Sequence, residues 1–264
     1  MIRVTGLEVV FGKGTPLEKK ALSGVDFIAG ESQFVSVIGS NGAGKSTLLA
    51  AIAGDVLPQA GRIEIAGVDV TRQPTAARAG RIARVFQDPL AGSCGRLTIE
   101  ENLALADARG SRRGFGLAIG RARREMFRHR LKELGLGLEG RLEDQMALLS
   151  GGQRQALSLV MATMAQANVL LLDEHTAALD PAMAEFVLDL TRRVVAETGV
   201  TTLMVTHSMR QALDMGDRTV MLHEGRVILD VAGDERRNLD VEDLIHMFRK
   251  VRGQDIDDDS LLIE

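Results

Sequence analysis

Phe34-Val35-Ser36-Val37-Ile38 runs straight into Gly39-Ser40-Asn41-Gly42-Ala43-Gly44-Lys45-Ser46-Thr47. The first five residues have the make-up of a compact strand, and the apolar run 48–53 that follows the glycines has the make-up of a helix. Between them the nine residues fit G-x-x-x-x-G-K-[ST], in the strand-to-helix setting that this pattern requires. Its glycines let the backbone curl until successive N–H groups point inward at phosphate oxygens, and the following helix adds the positive end of its dipole. Ser40, Asn41, Gly42, Ala43, Gly44 and Thr47 make up such a cradle, Lys45 reaches the β- and γ-phosphates, and the Ser46 hydroxyl is a ligand for Mg²⁺. The stretch therefore implies binding of a nucleoside triphosphate.

Outward from the cradle, short β-rich runs alternate with helical stretches. Residues 62–65 alternate like a half-exposed strand, and Gly67 supplies a turn. Residues 82–86, 169–172 and 201–206 are further strands, the last two separated by a helix that Pro181 opens. Near the end, 219–222 and 226–229 flank Glu224-Gly225, the pattern of a hairpin. Four apolar residues, Val169-Leu170-Leu171-Leu172, lead to Asp173 and Glu174. Acids that emerge where a buried strand ends suit phosphate chemistry: Asp173 as a Mg²⁺ ligand, acting through water, and Glu174 as the general base for an attacking water.

Composition bounds the rest. The 264 residues are 45% hydrophobic and 26% charged, which is ordinary for a globular chain able to bury a sizeable core. A single cysteine, Cys94, excludes a disulfide framework and a multi-thiolate metal site and suits a reducing compartment. The net charge of −4 argues against a nucleic-acid partner. No run approaches the roughly 18 apolar residues of a membrane span, and the first residues lack a signal-peptide core, so the chain is expected in the cytoplasm unless a partner holds it at a membrane. With no Trp or Tyr, any ring stacking falls to Phe or His.

From 99 to 149 helix formers replace the β-rich runs. Within this segment, 109–130 carries eight Arg against one acid, Glu125. It reads as a solvated helical face with a Gly-rich linker at 110–120, or alternatively as a surface for anionic lipid or an acidic partner loop. From Gly253 the chain is acidic and is expected to be a loosely held terminus.

One further segment carries a family resemblance. Leu149-Ser150-Gly151-Gly152-Gln153 begins an apolar helix about twenty residues before the acids, offering a hydroxyl, N–H groups and a positive dipole end: a second phosphate-recognising surface in one chain. It matches the LSGGQ signature of the ATP-binding cassette (ABC) ATPases, and with the cradle it makes the chain resemble that family from about residue 2 to 248. The resemblance implies an α/β P-loop NTPase fold with a RecA-like core, an N-terminal antiparallel β subdomain and an α-helical signature subdomain. It implies one domain over 1–252, with the helical subdomain at about 98–165 inserted in the core, and a tail at 253–264. Ser150, Gly151, Gly152 and Gln153 would then face the γ-phosphate on another subunit's cradle, in a head-to-tail dimer. Gln87 stands where the family senses Mg²⁺ and the membrane partner, Asp180 where a loop meets the opposing cradle, and His207 where a histidine meets the γ-phosphate. Adenine usually stacks on an aromatic near the end of the first strand, here Phe11, while Phe27 looks like core. His175 departs from the commonest family pattern, which has Pro there; it either tunes the neighbouring base or is a neutral variant. The string 173–181, DEHTAALDP, looks like a subgroup of bacterial importer ATPases grouped with permeases proposed for aromatic amino acids.

The resemblance thus implies an ATP- and Mg²⁺-dependent ATPase on the cytoplasmic side of the inner membrane. Its expected partners are transmembrane permease subunits, a second copy or a homologous ATPase, and a periplasmic or lipid-anchored substrate-binding protein. A lipid or drug exporter, a lipoprotein extruder and a soluble cassette such as an iron–sulfur assembly ATPase are the alternatives. A permease helix is expected to dock along 88–97, beside Glu100 and Asn102, with Cys94 within that stretch.

Overall fold

The computed structural model describes residues 1–111 and 119–252; the acidic tail and most of the Gly-rich linker lie outside the described residues. In chain order the elements are β1 (Ile2–Phe11), β2 (Lys19–Ala29), β3 (Phe34–Ile38), α1 (Lys45–Ala53), β4 (Ala60–Ile65), β5 (Val68–Asp69), α2 (Thr75–Arg78) and β6 (Ile82–Val85). They continue with α3 (Ile99–Asp107), α4 (Arg121–Lys132), α5 (Gly151–Met164), β7 (Val169–Asp173), α6 (Pro181–Thr198) and β8 (Thr201–Val205). The last are α7 (Met209–Asp214), β9 (Arg218–His223), β10 (Arg226–Ala232), α8 (Gly233–Arg237) and α9 (Val241–Arg252). The chain forms two compact units, Met1–Arg78 with the chain from Gly199 onward, and Ala79–Thr198. No helix among the described residues is long and apolar enough to cross a membrane.

In the first unit an antiparallel sheet runs in the order β2-β1-β4-β5. Alternation along β1 buries Ile2, Val4, Leu7 and Val9 on one face. In a second sheet β3 lies between β8 and β9, parallel to both, and β10 returns antiparallel to β9. The turn between β9 and β10 places Glu224 at φ 46° and Gly225 at φ 73°, the backbone twist a tight hairpin needs. Every residue of β3 is buried, as expected of a strand covered on both faces. Helix α1 buries Leu48, Leu49, Ala51 and Ile52, and its carboxyl end is held by Arg78, which donates to the carbonyls of Ala51 and Ile52 at 2.7 and 2.6 Å. The chain then closes with α9, whose Leu244 and Phe248 pack beside Met209 and Met221.

In the second unit β6 and β7 pair in parallel, Val85 opposite Leu172. Among the described residues of 99–149, α3 starts with a reciprocal cap between Thr98 and Glu101, and α4 and two short 3-10 turns follow. The arginines of and around α4 meet acids, Arg123 with Asp107, Arg124 with Glu100 and Arg128 with Glu125. That pairing favours the solvated, ion-paired face over a lipid-facing one.

Candidate nucleotide-binding site

The cradle belongs to the first unit. Gly39 has φ 148°, and a Cβ there would lie 2.1 Å from the Leu222 carbonyl oxygen, so only glycine permits the turn out of β3. The loop is stapled from outside: Ala43 N–H donates to Ser40 O, and Gly225 N–H donates to Ala43 O. Lys45 is buried, and its ammonium donates to the carbonyls of Gly39 (2.7 Å) and Ser40 (3.2 Å), so it braces the loop from inside. Asn41, Gly42 and Ser46 are exposed. Helix α1 has no acid in its first turn and no side-chain cap among the described residues, which leaves the positive end of its dipole to an anion.

His207 leaves the same sheet edge. Val37 of β3 is in register with Val205 of β8, so Gly39 and His207 each lie two residues beyond a paired position, at the carboxyl ends of adjacent parallel strands. The loop around exposed His207 is pinned by Thr206, whose hydroxyl donates to Gln211 Oε1 and accepts from Ser208 N–H. Phe11 closes β1 opposite Lys19 and remains 43% exposed, whereas Phe27 is buried with the Arg218 guanidinium over its ring.

The second unit repeats this arrangement with other residues. Gln87 and Glu174 each lie two residues beyond the Val85–Leu172 pair. Asp173 ends β7 and accepts a charged hydrogen bond from Arg84, Nη2 to Oδ2 at 2.9 Å, while the Arg84 guanidinium stacks 4.4 Å above the Phe86 ring. Glu174 has φ 42°, left-handed for a residue with a side chain. His175 is buried, its Nε2 is 3.1 Å from Thr191 Oγ1, and burial pushes its pKa down to about 4. The ring is therefore neutral at neutral pH and engaged on α6.

Ser150 caps α5: its hydroxyl accepts from Gln153 N–H, and the Gln153 side chain accepts from Ser150 N–H. The N–H groups of Gly151 and Gly152 lie in the first turn of that helix. A Cβ on Gly152 would fall 2.5 Å from Met183 Cε, so the glycine lets α5 approach the start of α6. Asp180 is exposed and caps α6, accepting from Met183 N–H.

Three contributors escape a reading of the sequence. Arg84 gives no local signal, because its partner is on another strand. Arg154 donates to the carbonyls of Met146, Ala147 and Leu149 and so fixes the turn before Ser150. Gln155 is fully buried and donates to Phe86 O, tying α5 to the residue before Gln87; a Gln within an apolar helical run was the available clue. The described residues include no cluster of three or more His, Cys, Asp or Glu suited to a metal ion.

The model of a family described as ABC transporter matches residues 22–177. A tyrosine transport ATP-binding protein of Clostridioides difficile is 44% identical over 218 residues, 83% of this chain and 86% of that protein. A thiamine import ATP-binding protein of Jannaschia sp. is 37% identical over 196 residues, 74% and 80% of the two chains. A sulfate/thiosulfate import ATP-binding protein of Mycobacterium tuberculosis is 39% identical over 212 residues, but this chain spans only 56% of it. Among solved structures, a bacterial ABC transporter cassette in dimeric form superposes with a TM-score of 0.76 at 29% identity, covering 88% of this chain and 98% of that one. A dimeric cassette in a post-hydrolysis state with ADP and Pi gives 0.75 at 29%, with the same coverage. The α/β fold, with its antiparallel sheet and parallel strands, is that of these P-loop cassettes. The chain belongs to the ABC transporter family, as one of its ATP-hydrolysing cassettes.

Proposed function

We propose that this chain is the nucleotide-binding subunit of a bacterial ABC importer, working as a dimer that closes on ATP and reopens after hydrolysis. The observation that carries the reading is the presence of two phosphate-recognising helix N-termini in one chain, α1 with buried Lys45 and α5 with Ser150. The family resemblance implies that the α5 end faces the cradle of a second cassette, and the dimeric form of the similar solved cassettes supports that reading.

In this reading the cradle residues and Lys45 bind the triphosphate, Phe11 stacks on adenine, and Ser150 to Gln153 with Asp180 engage the nucleotide held by the opposite cassette. Glu174 takes the proton of the attacking water, and Gln87 and His207 orient that water and the γ-phosphate. One hydroxyl and one carboxylate, Ser46 and Asp173, suit Mg²⁺, which keeps several waters and shares phosphate oxygens. Bound there, Mg²⁺ would neutralise charge developing on the phosphates.

The second unit also holds a cavity of about 630 Å³ lined by Phe86, Pro89, Cys94, Asn102, Leu105 and Met161 among others. Asn102 exchanges hydrogen bonds with the Cys94 backbone, donating to its carbonyl and accepting from its N–H, so this wall is well held. Glu100 is instead buried and paired with Arg124. This cavity is the proposed seat of a permease helix, which would keep the chain peripheral on the cytoplasmic face; a substrate-binding protein would complete the importer. Transported solute is selected by those partners, and tyrosine is the first to test, given the Clostridioides difficile relative. Co-expression with a candidate permease, followed by ATP-driven solute uptake in vesicles, tests the reading. Uptake supports it, whereas export from the same vesicles or failure to associate with any permease contradicts it.

A further inference from the structure

We propose that His175 is a positioning residue for hydrolysis: its bond to Thr191 ties the loop carrying Glu174 to α6 and holds Glu174 in the backbone conformation that presents its carboxylate. The inference rests on the reading of Glu174 as the general base.

A left-handed conformation at a residue with a side chain is strained and persists only where the surroundings over-determine it. At Glu174 three restraints meet. On the N-terminal side the strand ends in Asp173, gripped by Arg84. Within the loop, Ala177 N–H donates to Glu174 O at 3.0 Å. On the C-terminal side stands His175, 3% exposed and the first residue after the strained one.

The direction of the His175 bond follows from its partner. Thr191 is fully buried, and its single hydroxyl hydrogen is already donated to Val187 O at 2.8 Å. Thr191 Oγ1 can therefore only accept, and His175 Nε2 must carry the proton. The imidazole thus donates from Nε2 to Thr191, a contact that fixes the ring's orientation.

Helix α6 is a firm anchor. It buries Val187, Leu188 and Leu190, starts at the Asp180 cap, and presses Met183 against Gly152. A loop fastened to it at Thr191 is referenced to the same helix that meets the Ser150–Gln153 segment.

The test compares steady-state hydrolysis of Mg-ATP by the full chain and by His175→Leu, His175→Gln, Thr191→Val and the His175→Leu/Thr191→Val pair, with melting temperatures recorded for each. A lost positioning contact lowers kcat with little change in KM, here about tenfold for His175→Leu and for Thr191→Val. The paired variant should be no slower than either single one, since the His175–Thr191 bond is lost in each case. His175→Gln, which can return an N–H donor, should recover most of the rate. Should His175→Leu fail to fold, the near-isosteric Thr191→Val decides. Wild-type kcat in a folded variant, a loss confined to KM, additive losses in the pair, or no recovery by His175→Gln would overturn the assignment. Glu174→Gln, assayed in parallel, separates the two levels. Its normal turnover would overturn the base itself, whereas its inactivity beside a fully active His175→Leu would overturn only the positioning role.

Discussion

The Arg84 guanidinium grips the Asp173 carboxylate across the parallel pair β6 and β7. Arg84 is in register with Leu171, so Asp173, two residues on, presents its side chain on the same face of the sheet. Both side chains are largely buried, 15% and 13% exposed. Removing one partner takes a charged hydrogen bond from the other in a poor solvent for charge. Arg84→Met should therefore lower unfolding free energy in urea by about 2 kcal/mol, discounted from a fully buried pair for the remaining exposure. Asp173→Asn should cost a similar amount, and the two together less than their sum.

Phe11 presents an exposed ring at the end of β1. If adenine stacks there, Phe11→Ala should weaken ATP binding by about 1–3 kcal/mol, by analogy with base stacking on aromatic side chains. Binding of inorganic tripolyphosphate, which has no base, should be unchanged. Equal losses for both ligands in titration calorimetry would assign Phe11 a structural role instead.

Burial lowers the His175 pKa from 6.5 to about 4. Between those values the unfolded chain binds a proton that the folded chain refuses, so stability falls as pH drops from about 6.5 towards 4 and the contribution is intact above 6.5. The slope from this one group is at most about 1.4 kcal/mol per pH unit. Urea unfolding of the nucleotide-free chain at several pH values should show this slope, and His175→Gln should lose it. Parallel pH profiles for the two proteins would refute the assignment.

Cys94 is an exposed free thiol on the wall of the cavity in the second unit. A maleimide should label it in the isolated chain and be excluded once the permease is bound. Labelling at the same rate in both states would move the permease contact elsewhere.

Where the chemistry is local in sequence, the sequence was sufficient. The strand 34–38 coincides with β3, Pro181 opens α6, and Glu224-Gly225 makes the β9–β10 turn, each because a few adjacent residues dictate the backbone. The helix after the cradle starts at Lys45 and not at the apolar run from Leu48, since Lys45, Ser46 and Thr47 supply its first turn without any hydrophobic signal. What stayed hidden depends on register between distant segments. Arg84 and Asp173 are 89 residues apart, and Gln155 and Phe86 are 69 apart. His175 was visible as an oddity, but its donating role required Thr191 to be seen beside it.

The central claim is that Glu174 is the base of an ATP-hydrolysing cassette, and single-turnover hydrolysis by Glu174→Gln tests it most directly. Removing a general base costs about 10²–10⁴-fold in rate. The account predicts a loss of that size with ATP still bound and the protein trapped as a dimer on size exclusion, while Lys45→Ala loses nucleotide binding. Hydrolysis by Glu174→Gln at close to the wild-type rate would contradict it.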